Sequence, residues 1–205
     1  MITQNQNYTT KYSGMTKGRL EAFSDGVIAI IITIMVLEMK VPHGDSLESL
    51  KPLLPVFISY ILSFVNVAIY WNNHHHMFHV ITKVNAGVLW TNIHLLFWLS
   101  LFPFVAGWMG ENHFGTWPVV AYGAVSLMCG VAYYFLAHCL ASLHGKDSAI
   151  AVALGKDWKG IVSVIFYAVG MGLAFINPWL GVVCYFIVAG MWFIPDRRIE
   201  KQLKD

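Results

Sequence analysis

Six apolar stretches, near residues 20–41, 53–81, 87–109, 117–143, 158–176 and 179–194, leave this chain few ways to fold. A helix needs about 20 mostly apolar residues to cross the hydrocarbon core of a bilayer. Inside hydrocarbon every backbone amide and carbonyl must be satisfied within the protein, so such stretches become helices. Composition agrees. The AVILMFWYC set makes up 57% of the 205 residues and charged residues only 12%, against roughly a quarter in a soluble domain. So few charges exclude an ordinary soluble enzyme, a disordered chain and a disulfide scaffold. The net charge of +2 is too small to argue for a nucleic-acid partner. Cys129, Cys139 and Cys184 all sit in apolar stretches and read as small core residues.

The spacing predicts an all-α membrane protein with six transmembrane helices. Residues 1–18 are polar, lack an apolar core and read as a disordered tail. Asn177-Pro178 breaks the last apolar region into two short spans, because proline lacks an amide donor. An alternative folds that hairpin as one re-entrant unit. With the N-terminus inside, eleven of the thirteen Lys and Arg fall on the inner side, and only Lys40 and Lys51 fall outside. Both termini are therefore expected in the cytoplasm. The loop 144–157 is the longest internal connection, and 149–154 within it reads as a short interfacial helix.

The first span is unlike the others. It carries Arg19, Glu21, Asp25, Glu38 and Lys40, and its uncharged part runs only from Gly26 to Leu37. Twelve residues cover about 18 Å, well short of a ~30 Å core. Charges at such depth face protein or water, so this helix belongs inside an assembly. Asp25 needs a partner, and three groups are available: Arg19 on its own helix, the Tyr70-Trp71-Asn72-Asn73-His74-His75-His76 end of the second span with His79 beyond, and Thr91, Asn92 and His94 on the third. Ser59, Ser63, Asn66, Tyr70 and Asn73 draw one polar face of the second helix, readable as glue between helices or as an ion path.

His75 and His79 share a face, as metal ligands would. Outside the His74–His79 cluster the histidines, His43, His94, His113, His138 and His144, stand singly, and no HExxH, GxSxG or phosphate loop exists. Neither a cofactor nor a resident metal is expected. Trp71, Trp90, Trp108, Trp117, Trp158, Trp179 and Trp192 lie near span ends and read as an interface belt.

Residues 19–26 read Arg-Leu-Glu-Ala-Phe-Ser-Asp-Gly, which resembles the RxxxFSDG signature opening the first helix of the transmembrane protein 175 family of potassium channels. The similarity continues to Glu38, through Tyr70-Trp71, His74-His75 and Phe78, then Asn92, Leu95–Phe97 and Pro103-Phe104. The resemblance implies a potassium-selective channel, not an enzyme, with no TVGYG filter and with the first helix of each subunit lining a central pore. It implies a prokaryotic homotetramer in the cell membrane, passing K+ through a lipid bilayer. Residues 19–196 would form the channel domain, between cytoplasmic tails at 1–18 and 197–205. Ile30 and Leu37 would form the hydrophobic constriction or gate, and Thr33 would set ion selectivity. Arg19, Phe23, Ser24, Asp25, His74, His75 and Asn92 would form a structural polar network, whose loss in Asp25→Asn would harm folding or assembly.

Spacing is consistent with this mapping. Ile30, Thr33 and Leu37 share a face, and Thr33 carries the only side-chain oxygen between Gly26 and Leu37. A hydroxyl bonded back to the Ala29 carbonyl is the alternative role for Thr33. The alternative function is a proton-coupled transporter or a histidine-metal membrane enzyme using Asp25 and the His74–His79 cluster.

Overall fold

In the computed structural model of the chain the described residues are 16–155 and 158–193, with the side chain of residue 153 excepted. The expected tail residues 1–15 and 197–205 lie outside them, as does residue 194 at the end of the sixth span. All regular structure among the described residues is helical. In chain order it comprises α1 (Lys17–Leu37), a 3₁₀ turn (Leu47–Leu53), α2 (Leu54–His79), α3 (Ala86–Leu99), α4 (Phe102–Glu111), α5 (Thr116–His144), α6 (Ala149–Leu154), α7 (Trp158–Ala174) and α8 (Pro178–Phe193).

Local chemistry explains the boundaries. Thr16 caps α1, its hydroxyl accepting the Arg19 amide, so the helix starts two residues ahead of the RxxxFSDG motif. Asn85 caps α3 by accepting the Val88 amide. Pro55 sits in the first turn of α2, where a missing N–H is harmless. The third apolar stretch is not one helix. It breaks at Ser100-Leu101, and Pro103, which has no amide to offer the turn before it, sits in the first turn of α4. Gly145, at φ +89°, ends α5 in a conformation that side chains with a Cβ disfavour. The expected short helix at 149–154 is present as α6, capped by Ser148.

Four stretches are long and apolar enough to cross a membrane: Lys17–Leu37, Leu47–His79, Ala86–Glu111 and Thr116–His144. The last two helices are shorter, at 17 and 16 residues, or about 24–26 Å. They form a tight hairpin. A Cβ on Gly181 would lie 2.7 Å from the Gly170 carbonyl oxygen, so only glycine lets the backbones approach.

Helix α5 organises the bundle, packing on α3, α4, α7 and α8. Tyr122, stacked on Tyr185 at 5.8 Å, and Leu136 and Leu140 fill this centre. Helix α1 lies to one side, held mainly by α2, α3 and α4.

Candidate functional site

One face of α1 is packed and the other is bare. Leu20, Ser24, Ile28, Ile31 and Met35 recur every three or four residues and are buried. Ile31 is 4% exposed and Met35 3%, whereas Ile30 is 59% exposed and Leu37 75%. Thr33 lies exposed between the latter two. Its hydroxyl donates to the Ala29 carbonyl at 2.9 Å, which leaves the oxygen's lone pairs free on the bare face. Ile30 and Ile34 also line a cleft against Pro103, Phe104 and Trp108 of α4.

The motif end of α1 is gripped by α2 in an antiparallel ladder. Lys17 Nζ donates to the His79 carbonyl at 3.2 Å. Glu21 Oε1 lies 3.5 Å from His75 Nδ1. Trp71 Nε1 donates to Asp25 Oδ1 at 2.9 Å. Each step of four along α1 meets a step of four back along α2, one helical turn at a time.

Behind this ladder runs a buried relay whose proton positions follow from one anchor. Ser24 Oγ donates to the Leu20 carbonyl at 2.9 Å, so it accepts from Asn92 Nδ2, also at 2.9 Å. The amide orientation is thereby settled, and Asn92 Oδ1 faces His74 Nε2 at 2.8 Å. An amide oxygen only accepts, so Nε2 carries the hydrogen. All three side chains are fully buried, and His74 stacks on Phe78 at 4.2 Å. The relay pins α1 to both α2 and α3.

Five of the seven expected network residues are thus brought to one end of α1: Ser24, His74 and Asn92 in the relay, Asp25 and His75 in the ladder. Arg19 and Phe23 are not. Both lie on the exposed side of α1, and no hydrogen bond joins Arg19 to Asp25 among the described residues. Six residues along a helix put them about 240° apart, so the partner of Asp25 comes from α2. That partner, Trp71, lies in the stretch of the second span offered to Asp25 by the sequence, but it is read there as an interface residue rather than singled out. The signal was the spacing of Trp71, His74, His75 and Phe78, which are i, i+3, i+4 and i+7 on one face of α2.

The polar stripe of α2 is glue. Ser59 Oγ donates to the Ala106 carbonyl of α4 at 2.8 Å, and Asn66 Nδ2 donates to the Tyr122 hydroxyl of α5 at 3.0 Å. Ser59, Ser63 and Asn66 are buried inside the helix bundle, which favours packing over an ion path, while Tyr70 and Asn73 of the same stripe are half-buried. Nor do the histidines converge. His74 turns inward and His75 outward, and among the described residues no three His, Cys, Asp or Glu side chains gather as metal ligands would. The histidine-metal alternative lacks its ligand set.

At the other end, Lys40 Nζ meets Glu111 Oε1 at 2.8 Å, tying the chain leaving α1 to α4. The hydrogen bond it donates to Glu111, and the charge of that carboxylate, hold the Lys40 ammonium above its ordinary range.

Residues 19–103, which contain the relay and every ladder residue except Lys17, match the sequence model of a family described as endosomal/lysosomal potassium channel TMEM175. A protein of Chryseobacterium sp. (strain P1-3) named as a potassium channel is 52% identical over 191 residues, spanning 93% of this chain and all of that relative. The chain belongs to the TMEM175 family. A second TMEM175 relative, a potassium channel of Chamaesiphon minutus, is 30% identical over 84% of this chain and 91% of its own length. The crystal structure of a TMEM175 homologue from Chamaesiphon minutus, described as a lysosomal potassium-selective channel, superposes with a TM-score of 0.73 at 29% identity. It covers 87% of this chain and 96% of that one. A Gallus gallus relative, named endosomal/lysosomal proton channel TMEM175, is 38% identical, but only over 34% of this chain and 16% of its own. TMEM175 is a channel family rather than an enzyme family.

Proposed function

We propose that this chain is one subunit of a potassium-selective channel whose pore is lined by α1. The observation that carries this reading is the two-faced first helix. Its polar motif end is pinned to the protomer by ladder and relay, while its other face, apolar apart from Thr33, is left bare. A bare apolar face suits either lipid or copies of itself, and the channel family favours copies around an axis, toward which the Thr33 oxygen, though its hydrogen is bonded back to Ala29, still offers lone pairs. One helix cannot enclose a pore, so several copies must meet, and the resemblance to single-repeat members of the family makes the unit a homotetramer.

In that assembly Ile30 and Leu37 form two apolar rings, about 10 Å apart. Such rings close a pore by dewetting and need no charged plug. The four Thr33 oxygens between them meet a partly hydrated cation, and K+ releases its water more readily than Na+. Arg19 and Phe23, unpartnered inside the protomer among the described residues, reach the neighbouring subunit and complete the polar network there. The six-span topology follows from the four long spans together with the short α7–α8 hairpin. The Lys and Arg asymmetry favours both termini in the cytoplasm, the bacterial relatives favour a prokaryotic cell, and the channel domain, expected at 19–196, begins earlier, at the Thr16 cap of α1.

The test is ion flux from purified protein in liposomes. A K+ gradient should collapse without added substrate or counter-transported protons, and the reversal potential in mixed K+ and Na+ should follow K+. Because the Gallus gallus relative is named a proton channel, proton flux is measured in the same vesicles. Proton flux without K+ flux would overturn the reading.

A further inference from the structure

His144 is the last residue of α5, and its ring is used at both nitrogens. Nδ1 lies 2.9 Å from the Leu140 carbonyl, which only accepts, so Nδ1 carries the hydrogen. Nε2 is then a bare lone pair. Two consecutive backbone amides converge on it, Thr82 N and Lys83 N, each at 3.1 Å. These amides belong to the loop joining α2 to α3, the two helices that grip α1 through Trp71, His74 and Asn92. Ile81, fully buried, anchors the loop beside them. Gly145, at φ +89°, turns the chain away immediately after the histidine, its amide capping the Ala141 carbonyl at 3.0 Å. The central helix of the bundle therefore fastens the α2–α3 loop through one imidazole nitrogen.

We propose that His144 is a proton-sensitive latch that positions the α2–α3 grip on the pore helix, released when the side of the membrane facing this loop becomes acidic. A second proton on the ring goes to Nε2, the nitrogen that accepts both amides. It removes both bonds and turns an acceptor into a donor facing two donors. Closing the latch and binding that proton exclude each other, so acid opens it. Imidazole is the side chain that exchanges its proton in the physiological range. The ring is half-buried, so protons reach it without unfolding. The titratable or charged groups flanking the latch are Lys83 on the loop, His79 at the end of α2 with Lys17 of α1 on its carbonyl, His138 and Cys139 of α5, Lys146 and Asp147 in the turn that follows, and Lys159 at the start of α7, which packs on α5; farther along these elements stand His74, His75 and His76 of α2, His94 of α3, and Arg19, Glu21 and Asp25 of α1. Helix α6 contributes none. Among the described residues Asp147 is the only carboxylate on the loop, α2, α3, α5, α6 or the turn after α5, and Glu21 and Asp25 of α1 are engaged by His75 and Trp71. With the loop slack, α2 and α3 no longer brace α1, and the apolar ring returns to its dewetted, closed state. The effect on flux rests on α1 being the pore helix; the latch itself does not.

The experiment is amide hydrogen exchange on the full-length protein in nanodiscs at pH 7.5 and 5.5, corrected for intrinsic rates. Protection at Thr82 and Lys83 should fall at least about tenfold at pH 5.5 in wild type. In His144→Ala it should be low at both values, while the amides of Leu95 and Leu96 in α3 stay protected throughout. Wild-type protection that does not change with pH would overturn the latch, whether or not the variant folds. So would a wild-type pH response that persists in His144→Ala. In liposomes, acid on the loop side should lower wild-type K+ flux about threefold more than it lowers that of His144→Ala. Equal responses would remove the link to the pore. The exchange pattern without K+ flux at any pH would count against the channel reading alone and leave the latch standing.

Discussion

At the scale of single residues, Ile30 and Ile31 make the sharpest comparison. They are neighbours in sequence, yet one faces out at 59% exposure and the other inward at 4%. Ile30→Asn should raise K+ flux severalfold by making the narrow ring wettable. Ile31→Asn should leave an unpaired amide in the protomer core and lower stability by about 1–3 kcal/mol, without opening the pore. Flux and thermal unfolding in detergent separate the two; the opposite pattern would put the pore on another face. Thr33→Val should reduce the preference for K+ over Na+ while leaving yield intact, because the hydroxyl's only internal bond is to its own helix. In the relay, Asn92→Leu strands the His74 N–H, and about 1–3 kcal/mol of stability should be lost. Asp25→Asn should behave more mildly than the sequence suggests. The group it faces is the Trp71 indole N–H, which an amide oxygen accepts as well as a carboxylate does. Normal assembly of Asp25→Asn beside impaired assembly of Asp25→Ala, read by gel filtration, would bear this out.

At the scale of elements, the α7–α8 hairpin depends on one close approach. Gly181→Ala should cost roughly 1–3 kcal/mol through overpacking against the Gly170 carbonyl. Gly190→Ala on the same helix meets nothing within 4 Å and should be neutral or slightly stabilising. Unfolding midpoints of the pair check the packing directly. The third apolar stretch shows why element boundaries were harder to read than element existence. Its hydropathy runs unbroken through Ser100 and Leu101, so the pattern reads as one span. The backbone, however, must satisfy Leu99 and its neighbours without an amide from Pro103, and it divides the stretch into α3 and α4. Hydropathy records where the chain meets lipid; it does not record which carbonyls lose their donors.

At the scale of the whole molecule, the proposed assembly covers the bare face of α1 with copies of itself. Mass measurement in detergent should find a particle near four times 23.0 kDa, and a conducting monomer would end the proposal. Topology is checked with introduced cysteines, since Cys129 and Cys184 are buried and Cys139 is half-buried. Ile176→Cys, at the exposed α7–α8 turn, should label from outside, and Lys146→Cys from inside. Labelling of residue 176 from the inner side would favour a re-entrant hairpin over two spans.

The apolar stretches by themselves determined an all-helical membrane chain, because hydrocarbon tolerates no unpaired backbone. The motif at residues 19–26 and the periodicity of Ile30, Thr33 and Leu37 identified α1 as the helix of interest. These readings need only local rules: length, period and hydropathy. Which side chains meet across helices was decided by the fold. Asp25 had three groups of candidate partners in the sequence and took Trp71 from the second of them, because the antiparallel register of α1 and α2 sets that indole one turn from the His75–Glu21 pair. The polar stripe of α2 could serve ions or packing, and burial against α4 and α5 made it packing. His144, a lone histidine in the sequence, became a fastening point only when the α2–α3 loop arrived at its ring. Pairing between helices depends on rotation about each axis and on depth in the bundle, and neither quantity is written in any single segment of the chain.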